Sequence, residues 1–195
     1  MDSSQNVVAP KIIVGVAEYN RRVPIAKLYL DHVIKRVMRQ LKENTFIQFV
    51  GHACAIGSAK NNQRLSEGRA RDFKTLFLRA ARRRDPKIYR KLRASLLPDS
   101  SAVGKGEQEP LKFRNVPRKG LLQAIKQRNP QEYREIMAAI HRGETRIARD
   151  PFILEIGQET ITIISRNDRV YGRQINRRIE IAFRQRPQFT GFPRN

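Results

Sequence analysis

Apolar positions in the first part of the chain change period more than once. The β-branched run KIIVGVAEY predicts a strand over 11–19. Residues 23–43 then carry Leu30, Val33, Ile34, Val37, Met38 and Leu41 on one helical face, with Lys35, Arg36, Arg39 and Lys42 on much of the other. Alternation returns in TFIQFVGH, residues 45–52, which reads as a second strand that Gly51 terminates. Helical spacing resumes from Leu65 through Phe73, Leu76, Phe77 and Ala80, and Arg69 occupies the slot midway between Leu65 and Phe73.

Asp85-Pro86 is a cap and first-turn signal for a new helix reaching about residue 97. Residues 98–120 are rich in Pro, Gly and Ser and read as an exposed linker. Helices are predicted over 121–128 and 130–141, the second with Asn129 as N-cap and Pro130 at its first position. DPFILEI and ETITIIS resume strand character, and NRRIEIAF (176–183) alternates with Ile179, Ile181 and Phe183 on one face. No repeat of the solenoid kind is present. The order predicts an α+β fold in which 11–84 and 151–183 form one domain, with helices on one face of a small mixed sheet. Residues 85–150 form a basic helical insertion, and 184–195 an irregular tail.

Charge adds a partner class to this layout. Forty Lys+Arg against eighteen Asp+Glu give a formal charge of +22, which attracts polyanions such as nucleic acid, anionic lipid or acidic envelope polymers. The excess is densest at Arg79, Arg82, Arg83, Arg84, Lys87, Arg90, Lys91 and Arg93, either a solvated cationic face or a shape-blind phosphate contact. Tyr89 is the only ring in that cluster, which gives stacking on single strands little support, and no zinc-finger or helix-turn-helix signature accompanies it. A single cysteine excludes an internal disulfide framework, and with three scattered histidines it excludes a standard zinc site. No cofactor or metal is expected. The N-terminus has neither a basic n-region nor a long enough apolar run for an export signal or membrane span.

A guanidinium on an apolar stripe is paired internally, snorkels to water, or is held ready for an anion. The loop before it, GHACAIGSAKNN, leads from a strand end into a helix N-terminus, where free N–H groups favour a carboxylate or phosphate. Arg69 on the same helix offers such an anion a two-pronged contact. Cys54 and His52 share a face of an extended segment, but the orienting group and oxyanion site that a nucleophile needs are not signalled. The alternative is a small half-buried Cys54 and a His52 that packs or caps the loop. Asn62 reads as a backbone partner where the helix begins, with ligand contact as the second role. Asn176 and Arg177 either solvate a sheet edge or brace the loop. GKGE at 104–107 lacks the context of a phosphate-binding loop.

Gly51-His52, Gly57, Asn62, Leu65-Ser66, Arg69-Ala70 and Asn176-Arg177-Arg178-Ile179-Glu180-Ile181 together resemble the OmpA-like domain, the peptidoglycan-associated module found at the C-termini of OmpA and MotB. The resemblance covers 12–80 and about 160–183, with this chain a divergent member. It implies a two-layer βαβαβ-type sandwich, a noncatalytic role, a place in the cell envelope or periplasm, and binding of the peptidoglycan stem peptide. It further implies that Arg69 pairs with a ligand carboxylate and that Asn176 and Arg177 brace the binding loop, in a site that includes His52, Cys54, Gly57 and Asn62. Cys54 stands where the family places an aspartate for the ligand's ammonium, so half of that recognition pair is replaced. Two functions follow: an envelope-polymer binding or anchoring module, or a basic structural or nucleic-acid-binding subunit of a larger complex in which the pocket is vestigial.

Overall fold

A computed structural model of the chain describes residues 11–15, 23–98 and 100–185. The continuation of the first expected strand over 16–19 and most of the expected tail lie outside them. The strands are β1 (Lys11–Gly15), β2 (Thr45–Gly51), β3 (Ala102–Gly104), β4 (Lys112–Pro117), β5 (Arg146–Arg149), β6 (Phe152–Ile156), β7 (Thr160–Ser165) and β8 (Arg178–Gln185). The helices are α1 (Val23–Gln40), α2 (Ala59–Arg84), α3 (Pro86–Ala94), α4 (Arg118–Arg128), α5 (Pro130–His141) and α6 (Val170–Asn176). The fold is α+β, built on two sheets ordered β1-β8-β2-β3 and β4-β7-β6-β5.

In the first sheet β8 runs antiparallel between β1 and β2, while β3 runs parallel to β2. Period-two alternation divides β8: Ile179, Ile181 and Phe183 enter the core, and Glu180 faces the other way. Against the apolar face pack α1, through Val33, Ile34 and Val37, and α2, through Phe73 and Phe77. Phe49 of β2 meets Phe73 and Phe77 at centroid distances of 6.0 and 5.4 Å, tilted or edge-on as ring quadrupoles prefer. Asp85 ends α2 and caps α3, accepting from Lys87 N at 2.7 Å, with Pro86 in the first turn. Leu92 of α3 is fully buried in this first core, so the helix opening the expected insertion is part of the main packing.

The second sheet is antiparallel throughout, and α4 and α5 cover it around Ile136, Ala139, Ile147, Leu154 and Ile161. β6 and β7, grouped from sequence with the NRRIEIAF strand, pair instead with β5 and β4. The stretch 98–120 is not an exposed linker: it supplies β3 and β4, starts α4 and buries Leu111. Its turn residues sit between short strands whose partners are distant in sequence. Asn115, at φ 56, occupies the bulge in β4, a conformation Asn tolerates better than most residues.

The buried face of α2 also differs from the expected stripe. It consists of Asn62, Ser66, Ala70, Phe73, Phe77 and Ala81, whereas Leu65 and Leu76 are 50% and 37% exposed. Small side chains won this face because the sheet comes very close. A Cβ on Gly51 would overlap the Ser66 carbonyl, and one on Gly104 would lie 2.5 Å from Ser66 Oγ and 2.6 Å from Glu67 N. Gly51→Ala is therefore expected to lower stability by about 1–3 kcal/mol through overpacking. Gly68→Ala, on the same helix with nothing within 4 Å of the new Cβ, should raise it by about 0.5–1 kcal/mol. Urea denaturation of the two variants checks both signs.

Candidate functional site

The loop after β2 is held at its root by backbone bonds on two sides. His52 N donates to Arg178 O at 2.9 Å, and Ala53 N donates to Gly106 O at 2.7 Å, while Lys105 N donates to Gly51 O at 2.9 Å. Gly57 turns the chain at φ +97, a conformation that favours glycine. Ser58 then caps α2, its side chain accepting from Asn61 N at 3.3 Å. Ile56, at 53% exposure, marks the outer part of the loop.

Cys54 is buried, and Arg177 Nε donates to its Sγ at 3.2 Å. Burial pushes the thiol up, but the Arg177 hydrogen bond, reinforced by backbone at Ile56, holds it below its ordinary value. The guanidinium at this position favours a negative group and repels an ammonium. Arg177 cannot take a proton, so it does not serve as the base that a Cys54 nucleophile would need.

Arg69 is half-buried and makes no hydrogen bond or ion pair among the described residues. Its turn is fixed at the root of the loop, because Gly51 lies against Ser66 and Ala70 on either side of it in sequence. Arg69 is some three turns past Ser58, about 16 Å along the helix, so the helix N-terminus and Arg69 do not grip one small anion as the sequence suggests. The chain fills the N-terminal position itself: Asn62 Nδ2 donates to a carboxylate oxygen of Glu107. That bond replaces the backbone role expected for Asn62. Glu107 is held in turn by Asn167 Nδ2 donating to its carbonyl at 3.3 Å and by Gly106 N donating to Ser66 Oγ at 2.9 Å.

Behind the loop lies a buried charge cluster. Arg178 Nε donates to Glu180 Oε1 at 2.7 Å, Lys11 Nζ reaches both Glu180 oxygens at 3.0 Å, and Arg178 Nη2 donates to Glu109 O at 3.2 Å. Burial raises the Glu180 carboxyl, but His52 and the Arg178 charge outweigh it and hold the group far below the usual carboxylate range. His52 Nε2 stands 3.6 Å from Glu180 Oε2, an electrostatic contact longer than a hydrogen bond. Burial lowers the His52 pKa, and Glu180 only partly opposes that. His52 thus packs beneath the loop and presents its Nε2 to Glu180, which also counts against a Cys54–His52 dyad.

The two expected bracing residues separate. Arg177 reaches the loop, whereas Asn176 Oδ1 accepts from Leu111 N at 2.8 Å and Ser165 Oγ at 2.5 Å, and its Nδ2 donates to Asn167 at 2.7 Å. Asn176 therefore ties α6 to β7 and to the segment before β4. Arg79, Arg82, Arg83, Lys87, Arg90, Lys91 and Arg93 are exposed on α2 and α3. Arg84 is engaged with Asp31 at 3.5 Å, and the Arg82 guanidinium sits 6.0 Å from the Tyr89 ring. Sequence reading missed Glu107 and Glu180 as site-shaping residues. The Arg178–Glu180 pair had a signal, two opposite charges one residue apart on the same face of a strand; Glu107 had none. Among the described residues no group of three His, Cys, Asp or Glu is placed to hold a metal ion, and no helix is long and apolar enough to cross a membrane.

No protein-family profile and no curated protein matches the chain. Among solved structures it is similar to the periplasmic domain of Helicobacter pylori MotB. The structure of residues 97–256 gives a TM-score of 0.41 at 14% identity, covering 90% of this chain and 81% of that one. That of residues 78–256 gives 0.35 at 16% identity, covering 82% and 62%.

Acid should weaken the fold in two stages. The folded His52 has a lower pKa than the unfolded one, so the unfolded chain binds more protons below about pH 6.5. Stability then falls as pH drops from 7 towards 5, and His52→Gln should flatten that limb of a urea-midpoint profile. Glu180, depressed in the fold, contributes stability above its unfolded value of about 4.3, and this contribution is lost as pH falls further. Separately, Arg177→Met should move the pH midpoint of Cys54 alkylation by iodoacetamide upward, because the bond that favours the thiolate is gone.

Proposed function

We propose that the chain is a noncatalytic, OmpA-like binding module that grips an acidic end group of a cell-envelope polymer, peptidoglycan foremost, at the root of the 52–58 loop. The observation that carries this reading is Arg69, a half-buried residue whose guanidinium has no partner among the described residues. None of its nitrogens is among the buried polar atoms that lack a partner, so the guanidinium stays open to water and within reach of an outside acceptor. A ligand carboxylate would supply two parallel charge-assisted bonds to it. The residue pattern around it, from Gly51-His52 through Arg69-Ala70 and again at Asn176–Ile181, supports the same assignment.

The Cys54–Arg177 pair sharpens the ligand preference. With a guanidinium seated beside position 54 at 3.2 Å, the site is suited to the carboxylate of a stem peptide and ill suited to its ammonium. An aspartate introduced at 54 would be neutralised by Arg177 before it could serve a ligand. In this reading the module anchors an envelope-associated assembly through acidic groups of the wall.

Purified sacculi provide the test. The wild-type chain is expected to cosediment with them, Arg69→Ala to lose about 1.5–3 kcal/mol of binding, roughly tenfold or more, and Arg69→Lys to recover only part of it because an ammonium lacks the planar fork. Retention of the wild type no higher than that of an unrelated domain of equal charge would overturn the proposal.

A further inference from the structure

Charge on the helical layer collects at the C-terminal ends of α1 and α2 and along α3. Residues 29–42 and 79–94 hold twelve Lys and Arg against two Asp. Both acids are occupied within the fold: Asp31 pairs with Arg84 at 3.5 Å, and Asp85 caps α3. Lys35 and Arg39, one turn apart on α1, line an open groove between α1 and α3 together with Arg84. On the far wall Lys87 and Lys91, one turn apart on α3, flank the groove residue Ile88. Lys35, Arg39, Lys87 and Lys91 are exposed and make no ion pair among the described residues. Arg84 is fifteen residues past Arg69 on the same helix, about 22 Å along its axis, so this face lies apart from the loop.

Shape and chemistry select among polyanions. A cation that lines a depression reaches a ridge that enters it, whereas a flat bilayer meets only the rims. Helices that lie on a bilayer also bury apolar side chains in it. The large exposed apolar side chains among the described residues, Ile56, Leu65, Leu76, Phe113, Val170 and Tyr171, all lie outside α1 and α3. Single-stranded nucleic acid is held by rings on which its bases stack. Tyr89 is half-buried, with the Arg82 guanidinium 6.0 Å from its ring and Arg93 Nη1 3.5 Å from its hydroxyl, so it offers no such platform. A duplex keeps its bases inside and presents one negative charge per about 1.7 Å of its axis, which this groove meets with cations alone. The lining has no hydroxyl or amide side chain to read a ribose 2′-OH, which leaves the phosphates of DNA as the contact.

We infer that the groove between α1 and α3 docks the phosphate backbone of duplex DNA without reading its sequence. Fluorescence anisotropy of the full chain with labelled DNA duplexes of two unrelated sequences is expected to give equal affinities. Between about 50 and 200 mM salt, a plot of log K against log salt should slope at about −3.6 or steeper, from at least four phosphates at about −0.9 each. Lys35→Gln/Arg39→Gln and Lys87→Gln/Lys91→Gln should each make that slope shallower by about two. All four side chains are exposed, and folding is undisturbed. Lys119→Gln/Arg128→Gln, which removes as much charge from exposed positions on α4, should leave the slope unchanged. Absence of duplex binding at the lowest salt, an equal shallowing by the α4 pair, tighter binding to single strands or to duplex RNA, or uptake only onto phosphatidylglycerol vesicles would each overturn the inference.

Discussion

A carboxylate side chain only 8% exposed organises one end of the first sheet. Burying Glu180 without cations would cost several kcal/mol, and the structure meets that demand with Lys11 on β1 and Arg178 at the start of β8, while the His52 ring packs against it from just past β2. The three strands from which the 52–58 loop departs are thereby tied to one atom group. Arg178 extends the arrangement to the carbonyl of Glu109, which fixes the segment carrying Glu107. Removing Glu180 would leave Arg178 buried without a counter-charge, so the pair and its contacts to Lys11 and His52 tie β1, β8 and the end of β2 together.

Close approach is the second constraint, and it depends on the first. With β2 and β3 held level, Gly51 and Gly104 come so near to α2 that their neighbours on the helix have to be Ser66 and Ala70. This explains what hydrophobic periodicity could and could not reveal. Period-two alternation placed Ile179, Ile181 and Phe183 inward correctly, since large β-branched and aromatic residues dominate a sheet core, and Asp85-Pro86 and Asn129-Pro130 announced two helix starts through chemistry local to the turn. On α2 the same logic pointed at Leu65 and Leu76, because a buried face made of Asn, Ser and Ala carries no apolar signal. β3 and β4 were illegible for another reason: their pairing partners are far away in the chain, and the Gly- and Pro-rich residues around them read as a loop.

The candidate site was legible in its positions more than in its partnerships. Arg69, Cys54 and Gly57 stand where the pattern put them, at the end of a strand and on the helix that follows. What they touch required three dimensions. Asn62 meets a carboxylate from the 105–110 segment, Arg177 lies on the thiol, and Asn176 serves the second sheet. The net effect is a positive local charge at position 54, where a guanidinium stands beside a thiol.

The final turn of α2 carries Arg82, Arg83 and Arg84. At that end the carbonyls of the helix are unsatisfied and its dipole is negative, so basic side chains there favour the helix itself. The cationic surface of this protein is for that reason not a coat of paint that evolution or an engineer can strip at will. Neutralising these arginines also loosens the end of the longest described helix, and a drift towards a less basic surface there would have to pass through sequences that hold the Asp85 junction less well.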